Sequence, residues 1–279
     1  MNQPIARAPD RACVPGRRMT IPEFRQRKQT GQPISMVTCY DAWSARLIAG
    51  SPIDCVLVGD SLAMVVYGHD STLPVDIDTM AAHTAAVRRG APEKLIVGDL
   101  PFLSYRCGRH EAVRNAGKLM QAGAEAVKLE GADGNLETIR FLVESGIPVM
   151  GHVGLTPQSV HQLGGYRVQG REPEGSDRIK AQAQALQEAG CFALVLEALP
   201  SVLGEVVSAA LEIPTIGIGA GPGTDGQVLV LHDLLGFNTA FKPRFVRTWL
   251  DGASDVQGAL AGFHQAVLTG DFPAEAECY

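Results

Sequence analysis

The chain has 279 residues, 46% hydrophobic and 19% charged, with 31 glycines and 17 prolines. That composition can bury a sizeable core and excludes a disordered chain, a coiled coil and a small disulfide-stapled scaffold; the length allows one or two domains, and α/β barrels commonly reach about 250 residues as one. The formal charge of -6 gives no footprint for nucleic acid or an anionic membrane, and no apolar run approaches the roughly 18–20 residues that span a bilayer.

In chain order, the first 18 residues carry four arginines and one acid without an apolar stretch, so they are not a secretory signal. Residues 1–19 read as a disordered tail, with an organelle transit peptide as the alternative; cytoplasm is the default compartment. Thr20-Ile21-Pro22-Glu23 has capping-box spacing and predicts a short helix that stops near Gly31. Short, near-continuous apolar runs then follow, the mark of strands buried on both faces. They are Met36 to Asp41, Cys55 to Asp60 and Leu95 to Asp99. A repeated unit comes next: a helix-like segment closed by Gly123, Gly146 or Gly190 leads into Ala126 to Glu130, Pro148 to His152 or Ala193 to Glu197. Thr215 to Gly219 is a further strand, and Val228 to Leu231 is the least distinct. Eight buried strands alternating with helices imply a parallel sheet. An open doubly wound sheet is the competitor; strand number and length favour a closed (β/α)8 barrel, as one domain over residues 20–279.

Six cysteines stand at 13, 39, 55, 107, 191 and 278 without a CxxC. Cys39, Cys55 and Cys191 lie in or beside apolar runs and read as small buried hydrophobes rather than disulfide or zinc partners.

Active sites of such barrels lie at the C-terminal ends of the strands. Those ends read Asp41, Asp60, Asp99, Glu130, His152 and Glu197. Carboxylates this close repel, so some are protonated or share a cation, and acidic oxygen ligands suit Mg²⁺. For any one of them, capping the next helix is the plainer reading. Val58-Gly59-Asp60 and Val97-Gly98-Asp99 repeat one tripeptide, in which a glycine before the acid leaves room for an approaching ligand. This points to Asp60 and Asp99 as paired metal ligands; a tight strand end is the alternative. Lys128 and Glu130 stand two apart and share a face, so a buried Lys128 pairs with Glu130 or with a substrate carboxylate. The glycine-rich run 217–223 reads as a plain tight loop, with a phosphate nest as the alternative, and residues 164–176 as a long loop. His69, His83, His110 and His264 have no ligand spacing and read as surface or packing residues.

Longer strings carry a resemblance. They include Leu57-Val58-Gly59-Asp60-Ser61, Gly68-His69-Asp70-Ser71-Thr72-Leu73-Pro74, Asp99-Leu100-Pro101-Phe102, Val127-Lys128-Leu129-Glu130-Gly131 and Gly151-His152-Val153-Gly154-Leu155-Thr156-Pro157-Gln158. With Gly164-Gly165-Tyr166-Arg167 and Gly217-Ile218-Gly219-Ala220-Gly221, they make the chain resemble the ketopantoate hydroxymethyltransferase family from about residue 20 to 272. The stretches 51–54 and 236–242 depart from the pattern.

The resemblance implies a (β/α)8 TIM barrel of the phosphoenolpyruvate/pyruvate class, assembled as a homodecamer. It implies transfer of a hydroxymethyl group from 5,10-methylenetetrahydrofolate to 3-methyl-2-oxobutanoate, giving ketopantoate and tetrahydrofolate in pantothenate biosynthesis. Asp60 and Asp99 then hold Mg²⁺ with Glu130 in its shell. Asp60, Ser61, Asp99, Lys128 and His152 bind substrate, and Glu197 is the proton acceptor. A 2-oxo acid chelating Mg²⁺ would form its enolate against the cation, and residues 164–176 would act as a lid. Two other readings stay open: a lyase of the same barrel class that needs no folate, and a non-catalytic barrel that serves binding or assembly.

Overall fold

The computed structural model describes residues 18–239 and 242–279. Residues 1–17, and with them nearly all of the expected tail, lie outside the described residues. Eight parallel strands close on themselves in sequence order. They are β1 (Ile34–Thr38), β2 (Cys55–Val58), β3 (Leu95–Asp99), β4 (Ala126–Lys128), β5 (Val149–Gly154), β6 (Ala193–Glu197), β7 (Thr215–Ile218) and β8 (Gly226–Leu229). Helix α1 (Ile21–Gln29) precedes the barrel; α2 (Ala42–Ala49), α3 (Leu62–Val65), α4 (Ile77–Gly90), α5 (Arg109–Gln121) and α6 (Leu136–Glu144) follow the first four strands. After β5 come a 3-10 turn (Pro157–Ser159), α7 (Val160–Leu163) and α8 (Pro173–Glu188); α9 (Ser201–Ala210), α10 (Leu231–Leu234) and α11 (Val256–Thr269) complete the ring. Among the described residues, no helix is long and apolar enough to cross a membrane.

Strand side chains alternate in direction, and the two faces form two cores. Ile34, Met36, Cys55, Leu57, Leu95, Val97, Ala126, Met150, Ala193, Val195, Ile216 and Val228 fill the barrel. Their neighbours Val37, Val56, Val58, Ile96, Val127, Leu194 and Leu196 pack outward against the helices. Cys39, Cys55 and Cys191 are buried and free, as the apolar reading expects.

Helix α1 closes the bottom. Its capping box forms between Thr20 and Glu23, and Phe24 stacks edge-on against Phe192 with ring centroids 5.5 Å apart. Met19 packs against the same inner core, and Arg18 pairs with Glu125 at 2.6 Å, so packed structure begins just before residue 20. Three acids at the base follow one pattern. Asp54, Glu125 and Asp225 precede β2, β4 and β8 and accept the backbone N–H of Ser35, Ile96 and Thr215 at 3.0, 2.8 and 2.8 Å. Each also meets a cation: Arg27 reaches Asp54, Arg88 reaches Glu125 and Lys28 reaches Asp225. The atypical stretch 51–54 ends in this cluster. His264 belongs to it too, with Nδ1 2.7 Å from Ser35 Oγ.

Several boundaries move, each for a physical reason. The first strand runs from Ile34 to Thr38, and Asp41, expected at the mouth, instead caps α2 by accepting from Trp43 N and Ser44 N. The last strand starts two residues early, at Gly226, where an added Cβ would lie 2.3 Å from Ile34 O. A glycine and a buried glutamine open it, so apolar counting finds only its end. The run 217–223 leaves the end of β7 and continues from Gly219 as a tight turn against α9: a Cβ at Gly204 would lie 2.1 Å from Ala220 O. The expected long loop stops at Glu172, because Pro173 begins α8.

Phe24 is fully buried at the barrel base. Phe24→Ala is expected to lower unfolding stability by roughly 3–5 kcal/mol, the usual cost of a large aromatic cavity. Urea unfolding followed by circular dichroism reads it as a lower midpoint, and an unchanged midpoint would show that α1 is not part of the cooperative core.

Candidate active site

The inward parity of the strands continues to their upper ends, where the side chains change from apolar to ionisable. Above Leu95 and Val97 stands Asp99; above Ala126, Lys128; above Met150, His152; above Ala193 and Val195, Glu197. Asp60 breaks the pattern. Strand β2 ends at Val58, and the turn through Gly59 brings the acid beside Asp99. The two Val-Gly-Asp tripeptides therefore differ. A Cβ on Gly59 would crowd Ser61 Oγ at 2.9 Å at the mouth, whereas one on Gly98 would face Leu119 of α5 at 3.3 Å. The Ser61 hydroxyl needs the space at the first glycine, and helix packing needs it at the second.

Asp60, Asp99, Lys128, Glu130 and His152 are all buried. Asp99 Oδ2 accepts Asp60 N–H at 3.0 Å, and Lys128 Nζ lies 2.7 Å from Asp99 Oδ1. The lysine's partner is thus Asp99 rather than Glu130. Glu130 lies beyond the end of β4 and accepts Gln158 N–H through Oε2 at 2.9 Å. His152 stands between two acids, with Nδ1 3.5 Å from Glu130 Oε1 and Nε2 3.3 Å from Glu197 Oε2. Neither contact has hydrogen-bond alignment. Ser61 carries no helix cap, and its hydroxyl pairs with Tyr40 OH at 2.8 Å.

The electrostatics follow from crowding in a dry mouth. Burial, with Asp99 and Glu130 nearby, holds the Asp60 carboxyl well above the usual range. Burial also raises Asp99, against the pull of Lys128. Burial alone would discharge Lys128, but Asp99, Glu130 and Asp60 together overcome it and keep the ammonium charged. Burial disfavours the His152 imidazolium as well, yet Glu130 and Glu197 carry its pKa up to about 9. Glu197 is the most open of these acids, its side chain 18% exposed where Asp99 and Glu130 show 3% and 2%.

Among the described residues, no three acidic, histidine or cysteine side chains already form a metal cage. The donor chemistry nevertheless fits a hard divalent cation. Asp60 is a buried carboxylate whose one hydrogen-bonded side-chain partner is a neutral amide, Gln158 Nε2 at 2.8 Å. Buried charges are normally paired or bound to metal, and carboxylate oxygens suit Mg²⁺.

The sequence pattern missed three groups that shape the site: Tyr40, Tyr105 and Gln158. Their partners lie far along the chain; Gln158 reaches Asp60 across 98 positions and Tyr105 across 53. The one local trace is Pro157, which opens the 3-10 turn that carries Gln158. Tyr166 comes from residues 164–172 and sets its hydroxyl 3.5 Å from Met64 Sδ on α3, across the mouth. His83 brackets the same rim, meeting Tyr67 OH at 2.8 Å and the Tyr40 carbonyl.

Comparison with known proteins gives the family and the fold. The profile of the ketopantoate hydroxymethyltransferase family matches residues 18–275. The chain is 58% identical over 260 residues to 3-methyl-2-oxobutanoate hydroxymethyltransferase of Bdellovibrio bacteriovorus, covering 93% of this chain and 99% of that one. It is 54% identical over 263 residues to the protein of the same name from Coxiella burnetii, covering 94% and 99%. Among solved structures, a putative phosphonomutase from Burkholderia cenocepacia superposes with a TM-score of 0.62 at 17% identity, covering 78% of this chain and 94% of that one. A 2,3-dimethylmalate lyase of the PEP mutase/isocitrate lyase superfamily gives 0.58 at 18%, covering 79% and 83%. These two likenesses are of fold alone. The family profile spans the barrel from α1 to beyond α11, and relatives share more than half their residues with it; the chain belongs to the ketopantoate hydroxymethyltransferase family.

Proposed function

We propose that the chain transfers a hydroxymethyl group from 5,10-methylenetetrahydrofolate to C3 of 3-methyl-2-oxobutanoate, giving ketopantoate and tetrahydrofolate, as a step of pantothenate biosynthesis. The observation that carries the chemistry is one mouth with two unlike sides. On one side Asp60, Asp99 and Glu130 crowd around a single lysine; on the other, Glu197 stands open to the mouth against His152. The first side suits an anionic 2-oxo acid held through a cation, and the second suits removal of a proton.

Asp60 and Asp99 would hold magnesium with Glu130 in its shell, and the bound cation would supply Lewis-acid stabilisation of charge at the keto oxygen. Lys128, fixed by Asp99, presents its ammonium to the substrate carboxylate. Ser61, oriented by Tyr40, adds a hydrogen bond to the same substrate. Glu197 takes the C3 proton, which leaves carbon free to attack the one-carbon unit. His152, 3.3 Å from Glu197, binds substrate near the new hydroxymethyl group. The segment from Gly164 to Glu172 keeps water out, with Tyr166 bridging to Met64. Assembly as a homodecamer and a cytoplasmic location belong to the same proposal.

Two measurements test this reading. Glu197→Gln keeps the shape and removes the base, so exchange of the C3 proton with deuterated solvent, in the absence of folate, should fall about 10²–10⁴-fold while 2-oxo acid still binds. Exchange at the unmodified rate removes Glu197 from the role and makes His152 the next residue to test. Asp60→Ala or Asp99→Ala should abolish calorimetric Mg²⁺ binding with the circular dichroism spectrum unchanged; undiminished affinity in either variant contradicts the metal assignment.

A further inference from the structure

Gln158 touches two of the three crowded acids at once. Its backbone N–H donates to Glu130 Oε2 at 2.9 Å. Its side-chain amide donates to Asp60 Oδ2 at 2.8 Å and to Leu100 O at 3.0 Å. Tyr105 OH donates to its Oε1 at 2.7 Å. Both amide N–H groups face acceptors and the amide oxygen faces a donor, so only one orientation of the side chain satisfies the network. Gln158 and Tyr105 are both buried, which makes a broken bond here expensive to leave unmade.

The consequence falls on Asp60. Its Oδ2 is occupied by the Gln158 amide at 2.8 Å, and among the described residues no hydrogen bond reaches its Oδ1. A carboxylate with one oxygen tied down cannot swing freely, and it offers the other oxygen in a set direction. Groups that orient a metal's ligands in this way usually matter to affinity nearly as much as the ligands do. A neutral amide also suits the position, because a carboxylate there would add a fourth anion beside Asp60, Asp99 and Glu130.

We infer that Gln158 is a positioning residue of the cation site: its amide holds Asp60 Oδ2, so that Asp60 meets a divalent cation through Oδ1 alone. This rests on the reading of Asp60 as a metal ligand. Tyr105 has a lesser part. The two acceptors on the amide nitrogen already fix its orientation, and the phenol completes the network by satisfying Oε1.

The test uses the full chain and Mn²⁺ as a spectroscopic probe, with affinity from calorimetry and coordination from the electron paramagnetic resonance spectrum. Gln158→Met keeps length and unbranched shape but removes both side-chain donors. It should bind Mn²⁺ about 10–100-fold more weakly and change the spectrum of the bound ion. Tyr105→Phe also deletes a buried hydrogen bond but keeps the donor to Asp60, so its affinity and spectrum should stay near those of the unmodified chain. That contrast separates positioning from simple loss of packing, which would lower the melting temperature of both variants without singling out the metal. Gln158→Met with undiminished affinity and an unchanged spectrum overturns the inference. If Gln158→Met does not fold, a Mn²⁺-loaded crystal of the unmodified chain decides instead: Asp60 bound through Oδ1 with Oδ2 still on Gln158 supports it, and a chelating Asp60 overturns it. An unmodified chain that takes up no Mn²⁺ overturns the metal reading itself, a failure distinct from the others.

Discussion

The strand's period of two governs this molecule more than any single contact. In a closed parallel barrel each strand has one face toward the axis and one toward the helices, and neither meets water. A side chain's parity therefore decides whether it lines the axis or packs against a helix, and its height decides whether it is core or chemistry. Leu95 and Val97 fill the barrel, and two residues higher the same face delivers Asp99. Lys128, His152 and Glu197 arrive the same way. A one-residue slip in any of these strands would send the ionisable group into the helix layer and a hydrophobe into the mouth.

Buried together, these groups set one another's charge. Lys128 stays protonated because acids surround it, and His152 holds its proton because it stands between Glu130 and Glu197. Asp60 is the exception. Among the described residues it makes no ion pair, and burial with two neighbouring acids raises its carboxyl against the weaker pull of Lys128. Asp60 and Asp99 are thus both raised by burial, and of the two only Asp99 has an ion-paired lysine among the described residues. Such an imbalance costs stability in the free protein.

The sequence made the repeating architecture legible because buried parallel strands are nearly continuous apolar runs. It also showed which acids stand at strand ends. What it hid followed from other physics. Asp41 has the same sequence signature as Asp99, but its side chain turns back to cap α2, a local choice that position in the strand does not reveal. Gly98 and Gly59 look equivalent in sequence and serve different neighbours. β8 opens on Gly226 and Gln227, so its start carries no apolar signal. Gln158 lay inside a quoted motif without a role, since an amide gains meaning only from partners that the fold brings to it.

The base of the barrel carries a different consequence, for the order in which the chain folds. Lys28 sits in the first helix, yet it pairs with Asp225 and the Ser208 carbonyl, 197 and 180 positions further along the chain. Arg27 of the same helix holds Asp54, and Phe24 rests on Phe192. Helix α1 is therefore seated in part by segments made long after it. Long-range contacts of this kind form late, after the entropy of closing a long loop has been overcome. Until the segments around Phe192, Ser208 and Asp225 have been made, α1 lacks the partners of Phe24 and Lys28 and can be seated only through Asp54.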